Sequence, residues 1–204
     1  MDGTLADSVP WLVGVMNSVA DKFHFRRIED HDIETLRRLD SREIIRWLGV
    51  PLWKLPRIAS HMRALKARHI DDIALFPGVD RMLHDLAASG IRIAIVSSDR
   101  EANVRRTLGP VNARLVDVYA CGASLFGKQA KFRQVLKRSG IDASDTIAVG
   151  DELRDAEAAL RSGIDFGAVT WGYAHPGALG NTKPALLFSN VGEIAPALSA
   201  PPRK

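Results

Sequence analysis

From Val9 to about Ile73 the apolar residues recur at helical spacing, and no stretch alternates with the period of two that a half-buried strand requires. Trp11, Leu12, Val15, Met16 and Val19 form one such stripe. In "LDSREIIRWLGVP", Asp40 and Glu43 have the spacing of a capping box, Ile44, Ile45 and Leu48 make the apolar face, and Gly49 with Pro51 ends the helix. At Phe76 the pattern changes. "FPGVDRMLHDLAASG" sets Val79, Met82, Leu83 and Leu86 on one helical face, stops at Gly90, and leads into "IRIAIVSS", an apolar run of strand length. A shorter run, "RLVDVYACG", follows, and then a helix through Phe132, Val135 and Leu136 that ends at Gly140. After these come the strand "DTIAVGD", a helix from about Leu153 to Arg161 stopped by Gly163, the strand "DFGAVTWG" and a last run, "ALLFS". Strands alternating with helices of this length predict right-handed crossovers and a doubly wound parallel α/β sheet covered on both faces. The helical segment is then an insertion near the beginning of that core, and the tail "APPRK" is expected to fray.

Composition narrows the class. The 204 residues are 46% hydrophobic and 25% charged, which suits one substantial core or a core carrying a smaller insertion. The formal charge of +4 suits small phosphorylated substrates as well as a polyanion, and no aromatic-basic interleaving of the kind that stacks bases is present, so nucleic acid is not an expected partner. The single cysteine, Cys121, excludes an internal disulfide and a cysteine metal cluster and points to the reducing cytoplasm. No uncharged apolar stretch reaches the length of a membrane span, and "MDGTLADSVPWLVGVMNSV" lacks the basic start of a secretory leader.

Ligands of doubly wound sheets bind at the carboxyl ends of the strands, so chemistry is sought there. After "IRIAIV" come Ser97, Ser98 and Asp99, whose hydroxyls and following amides suit an anion, or simply cap a helix. The loop "CGASLFGK" delivers Lys128, a point charge for a phosphate or a solvated surface lysine. After "TIAV", Asp151 stands at the strand end with Asp155 one helical turn on. This pair suits magnesium, or Asp151 is a cap and Asp155 is solvated. The opening "MDGTLADS" taken alone is a turn at Asp2 and Gly3. His24, His31, His61, His69, His84 and His175 show no zinc-type spacing. Arg37, Arg38, Arg42 and Arg46 form either a solvated helix surface or a face for an anionic group beyond a phosphate.

In order and spacing, "DGTLADS", "IVSS", "FGK" and "VGDELRD" resemble the haloacid dehalogenase superfamily over nearly the whole chain, most closely its phosphoglycolate-phosphatase-like branch with a helical cap. The resemblance implies a Rossmann-like core at 1–8 and 74–204 and a cap at 9–73. It implies a magnesium-dependent phosphatase that hydrolyses a small phosphomonoester through an aspartyl-phosphate. Carried over by motif, Asp2 is the general acid and base and also reaches the metal through its backbone carbonyl. Ser97 and Lys128 act beside it, Gly3, Thr4, Ser97, Ser98 and Lys128 bind phosphate, and Asp151 with Asp155 holds Mg2+. The alternatives are a sugar-phosphate mutase and an inactive phosphate-binding or protein-binding module.

The superfamily's nucleophile stands two residues before the acid/base aspartate, and Met1 occupies the intervening place. The expectation is therefore a native start about six to twelve residues upstream, supplying a strand of ordinary length that ends in Asp. Buried aliphatic side chains in such a strand, at roughly 1.5 to 3 kcal/mol each, rival a domain's whole stability of about 5 to 15 kcal/mol.

Overall fold

The computed structural model describes residues 1–122 and 127–199; the tail "APPRK" and part of the loop before Lys128 lie outside them. Four helices come first: α1 (Val9–Phe23), α2 (Asp30–Leu36), α3 (Ser41–Trp47) and α4 (Leu55–Arg68). The capping box expected at α3 is formed: Asp40 Oδ1 accepts from the amides of Arg42 and Glu43, and Glu43 accepts from the amide of Asp40. The chain enters and leaves this helical part along one seam. There the Asp7 amide donates to the Ala74 carbonyl and the Phe76 amide to the Leu5 carbonyl.

Beyond the seam the elements alternate: α5 (Val79–Ala88), β1 (Ile93–Val96), α6 (Glu101–Asn112), β2 (Val116–Ala120), α7 (Lys128–Ser139), β3 (Ile147–Gly150), α8 (Leu153–Leu160), β4 (Asp165–Val169), α9 (Pro176–Gly180), β5 (Leu186–Phe188) and α10 (Ile194–Ser199). Helix α6 leaves little trace in the apolar pattern, because Gly109 at φ 75° and Pro110 kink it near its end. Its buried Val104 and Leu108 still pack into the core.

The pairings among β1 to β5 are all parallel, while Ala6 and Leu75 form an isolated antiparallel bridge at the seam. The sheet expected as one is divided in two, β1 beside β2 and β3 between β4 and the cavity, with β5 on the far side of β4. Between the facing edges of β1 and β3 runs a cavity of about 570 Å³, lined by Ile93 to Val96 on one side and Ile147 to Val149 on the other. Met82, Leu83 and Leu86 of α5 cover one face of it and Phe132 and Val135 of α7 the other, while Met1 lies at its rim. Helices α5, α6 and α10 pack one side of the sheets and α7 and α8 the other, as the apolar pattern requires.

Candidate active site

Four strand ends and the first residues of the chain build one polar edge. The turn at Asp2 is closed by the Gly3 amide on the Ala6 carbonyl and by the Leu5 and Ala6 amides on the Met1 carbonyl. Gly3 has φ 71°, and a Cβ there would stand 2.1 Å from Asp151 Oδ2, so no other residue fits this approach. Thr4, buried, turns its hydroxyl to Asp151 Oδ1 at 2.7 Å. The expected phosphate contact from Thr4 is thus, in this arrangement, a hydrogen bond to the neighbouring carboxylate.

Asp151 follows β3 directly and is 1% exposed. Its second oxygen accepts from the Tyr173 amide at 2.9 Å. Burial, with the charges of Glu152 and Asp155 beside it, pushes its carboxyl up to about 6. Asp155, one turn into α8, is also buried, yet Lys128 and Arg154 overcome that burial and hold its pKa below the ordinary value. Lys128, the first residue of α7, is ion-paired to Asp155. The amino end of the half-buried Met1 lies near Lys128, Asp2, Asp151 and Asp155.

At the end of β1, Ser97 is buried and Ser98 half-buried. Ser97 Oγ accepts from the amide of Asp99 at 3.1 Å, a turn contact ahead of α6, whose first amides take no side-chain cap. Asp99 Oδ1 accepts from the amide of Arg100 and from the side-chain amide of Asn103. Its other oxygen takes the ammonium of Lys66 at 2.8 Å, and the same ammonium lies 2.5 Å from Asp2 Oδ1. Burial opposes the charge on Lys66, but Asp2 and Asp99 outweigh it and raise its pKa. Lys131, one turn after Lys128, donates to the carbonyls of Ser97 and Gly122, both at 2.5 Å.

The edge thus brings together Asp2, Gly3, Thr4, Ser97, Lys128, Asp151 and Asp155, all assigned site roles from the sequence. It also contains Lys66, Lys131 and Tyr173, which were not, and Asp99, noted only beside the two serines. Asp99 and Tyr173 carry a signal, since each lies in the loop that follows a strand. Lys66 carries none, being one of several cations on a helix remote in sequence. Of the four arginines, Arg37 and Arg38 contact the loop after β4, whereas Arg42 and Arg46 lie exposed on α3. His175 caps α9, its Nδ1 taking the Gly177 amide at 3.0 Å.

Among the described residues, no group of three or more His, Cys, Asp or Glu side chains is placed to hold a metal. Magnesium, however, needs only one or two carboxylates, its other positions being filled by waters and phosphate oxygens. Asp151 suits it: a buried carboxylate whose ionisation is disfavoured by its surroundings gains from an adjacent hard cation, and Asp155 adds a second.

The sequence profile of the haloacid dehalogenase-like hydrolases matches residues 1–169. A phosphoglycolate phosphatase of Synechococcus elongatus is 31% identical over 199 residues, covering 97% of this chain and 94% of that protein. Phosphoglycolate phosphatase 1 of Pseudomonas aeruginosa is 26% identical, with 96% and 76% covered. A crystal structure from Lactobacillus plantarum superposes with a TM-score of 0.82 at 22% identity, over 97% of this chain and 95% of that one.

Proposed function

Because the chain belongs to the haloacid dehalogenase-like hydrolases, we propose that this phosphatase hydrolyses a small, cytosolic phosphomonoester of the phosphoglycolate kind, with magnesium bound, through an aspartyl-phosphate. The observation that carries the reading is the shared edge at which Asp2, Lys128, Asp151 and Asp155 form a ring about Met1, with Gly3 and Thr4 held against Asp151 and Lys128 paired to Asp155. A carboxylate from the residue ahead of Met1 would stand in that ring.

That carboxylate oxygen bonds to phosphorus as the ester P–O bond breaks, and Asp2 gives the leaving oxygen its proton. Asp2 then takes a proton from water as the water oxygen attacks the same phosphorus, freeing inorganic phosphate and restoring the carboxylate. Ser97 and the amide of Ser98 hold phosphoryl oxygens, and Lys128 balances the charge between nucleophile and phosphate. Asp151, Asp155 and the Asp2 carbonyl would hold magnesium, which when bound supplies positive charge to the phosphoryl oxygens.

The cavity between β1 and β3 supports the upstream strand. Its two walls are strand edges with no partner in between among the described residues, its faces are apolar helices, and Met1 lies at its rim. Phosphate release from a panel of small phosphomonoesters with magnesium tests the reading, comparing this chain with one extended upstream in frame. Turnover in the extended chain is expected. An isomeric sugar phosphate as product would replace it with a mutase, and phosphate binding without turnover in both would replace it with a binding module.

A further inference from the structure

Two consecutive peptide units of the loop after β4 lie between the guanidinium of Arg37, at the end of α2, and Asp151. The Gly172 carbonyl accepts from Arg37 Nη2 at 3.3 Å, and the N–H of the same peptide, on Tyr173, donates to Asp151 Oδ2 at 2.9 Å. The Tyr173 carbonyl accepts from Arg37 Nε at 3.1 Å, and its partner N–H, on Ala174, donates to the Asp151 backbone carbonyl at 3.2 Å. The His175 amide then donates back to the Arg37 carbonyl at 2.7 Å. The fork of one arginine from the helical part therefore reads the outward side of two amides whose inward side holds one aspartate.

Chemistry and space both favour transmission through this bridge. A cation on a carbonyl oxygen polarises the amide and strengthens its N–H as a donor. Arginine suits the task because its donors lie in a rigid plane at a fixed separation. The loop has no slack towards Asp151: a Cβ on Gly172 would stand 2.2 Å from Asp151 Cβ. Tyr173 is pinned at its other end by Ser8, its hydroxyl 2.7 Å from Ser8 Oγ. Arg37 also keeps its own orientation through Glu34, 3.1 Å from Nη1.

The geometry points to Arg37 as a positioning residue for Asp151, so that the seating of the helical part on the loop after β4 sets how Asp151 presents its carboxylate to a divalent cation. This rests on the metal role proposed for Asp151. It goes beyond that role by making the site's cation affinity depend on a residue whose contact with Asp151 runs only through the peptides of the loop after β4.

Manganese titrated into the metal-free protein and followed by electron paramagnetic resonance tests it without any need for turnover. Loss of a group that orients a metal-binding residue typically weakens affinity about 10- to 100-fold. That is the loss expected for Arg37→Met, with Arg37→Lys in between. Arg38→Met, which removes only the neighbour 3.1 Å from His175 Nε2, is expected to change it less than about 2-fold. Equal affinity in Arg37→Met and wild type, or an equal fall in Arg38→Met, overturns the inference. Wild-type protein that binds no manganese overturns the metal role and the inference together. Should Arg37→Met not fold, coupling is reciprocal and the wild type decides: manganese is expected to slow exchange of the His175 amide, and an unchanged rate there overturns the coupling.

Discussion

Lys66, near the end of α4, lies between Asp2 and Asp99 with its ammonium 2.5 Å from one carboxylate and 2.8 Å from the other. The Lys66 side chain is 7% exposed and that of Asp99 4%, so this pair is held out of water, whereas Asp2 at 27% keeps some solvent. Removing one partner of a buried pair strands the other charge at a cost of about 3 to 5 kcal/mol. Lys66→Met is expected to lose stability near the lower end of that range in urea unfolding. Lys66→Met with Asp99→Asn is expected to recover most of it, because the uncompensated charge is then gone. Equal stability of the single variant and the wild type would remove this pair as a link between the helical part and the core.

The Asp151 carboxyl is raised from an ordinary value of 3.8 to about 6, chiefly by burial. Between those values the folded state holds a proton that the unfolded state has released. Stability from this group is therefore present below about pH 4 and is lost as pH rises through about 6. The loss amounts to about 3 kcal/mol, at about 1.4 kcal/mol for each pH unit that separates the two values. Magnesium should restore part of it at pH 8 and none at pH 4. Melting curves with and without magnesium at the two pH values check this, and an equal magnesium effect at both would show that Asp151 is not the responding group.

The core was readable because its elements obey simple periods. The stripe of Val79, Met82, Leu83 and Leu86 became α5, and "IRIAIV" and "TIAV" became β1 and β3 within a residue or two. The capping signals at Asp40 and Glu43 did what their spacing requires. Helix α6 was harder to read because a glycine at positive φ and a proline interrupt its pattern, which only packing of Val104 and Leu108 overrides. Site residues next to strand ends were legible for a topological reason, since a parallel sheet gathers them at one edge. Lys66 and Arg37 were not, because what each does depends on where the helical part rests, and no local pattern encodes that contact.

Gly3 and Gly172 approach Asp151 from two sides, and neither has room for a methyl group. A Cβ on Gly3 would meet Asp151 Oδ2 at 2.1 Å and Tyr173 Cδ2 at 2.6 Å, and one on Gly172 would meet Asp151 Cβ at 2.2 Å. Overpacking costs about 1 to 3 kcal/mol, and a positive φ adds about 1 to 2 kcal/mol at Gly3. Gly3→Ala is expected to be the more destabilising of the two for that reason. The order is read from denaturant midpoints, with Gly14→Ala as the contrasting case: its position inside α1 is open, so alanine there is expected to raise stability by about 0.5 to 1 kcal/mol.

In the proposed reaction Lys128 acts only through charge. It pairs with Asp155 in this arrangement and lies beside the ring around Met1. Lys128→Met in the upstream-extended protein is expected to lower kcat about 10²- to 10³-fold, the usual loss when one preorganised donor to a developing charge is removed. KM should move far less, since the charge it balances grows in the transition state. A rise in KM alone would instead make Lys128 a ground-state binding residue.

The cavity between β1 and β3 makes a prediction about folding that is separate from turnover. A strand seated there would pair with both facing edges and bury its side chains against Met82, Leu83 and Leu86 on one face and Phe132 and Val135 on the other. Each buried aliphatic side chain contributes about 1.5 to 3 kcal/mol, so an apolar segment joined to Met1 is expected to raise stability by several kcal/mol. It should also steepen the urea dependence, because more surface is exposed on unfolding. Charged residues at alternate positions of the added segment should cancel the gain, since both of its faces meet apolar helices. An extended chain with the midpoint and slope of the shorter one would mean that the slot is not a strand site.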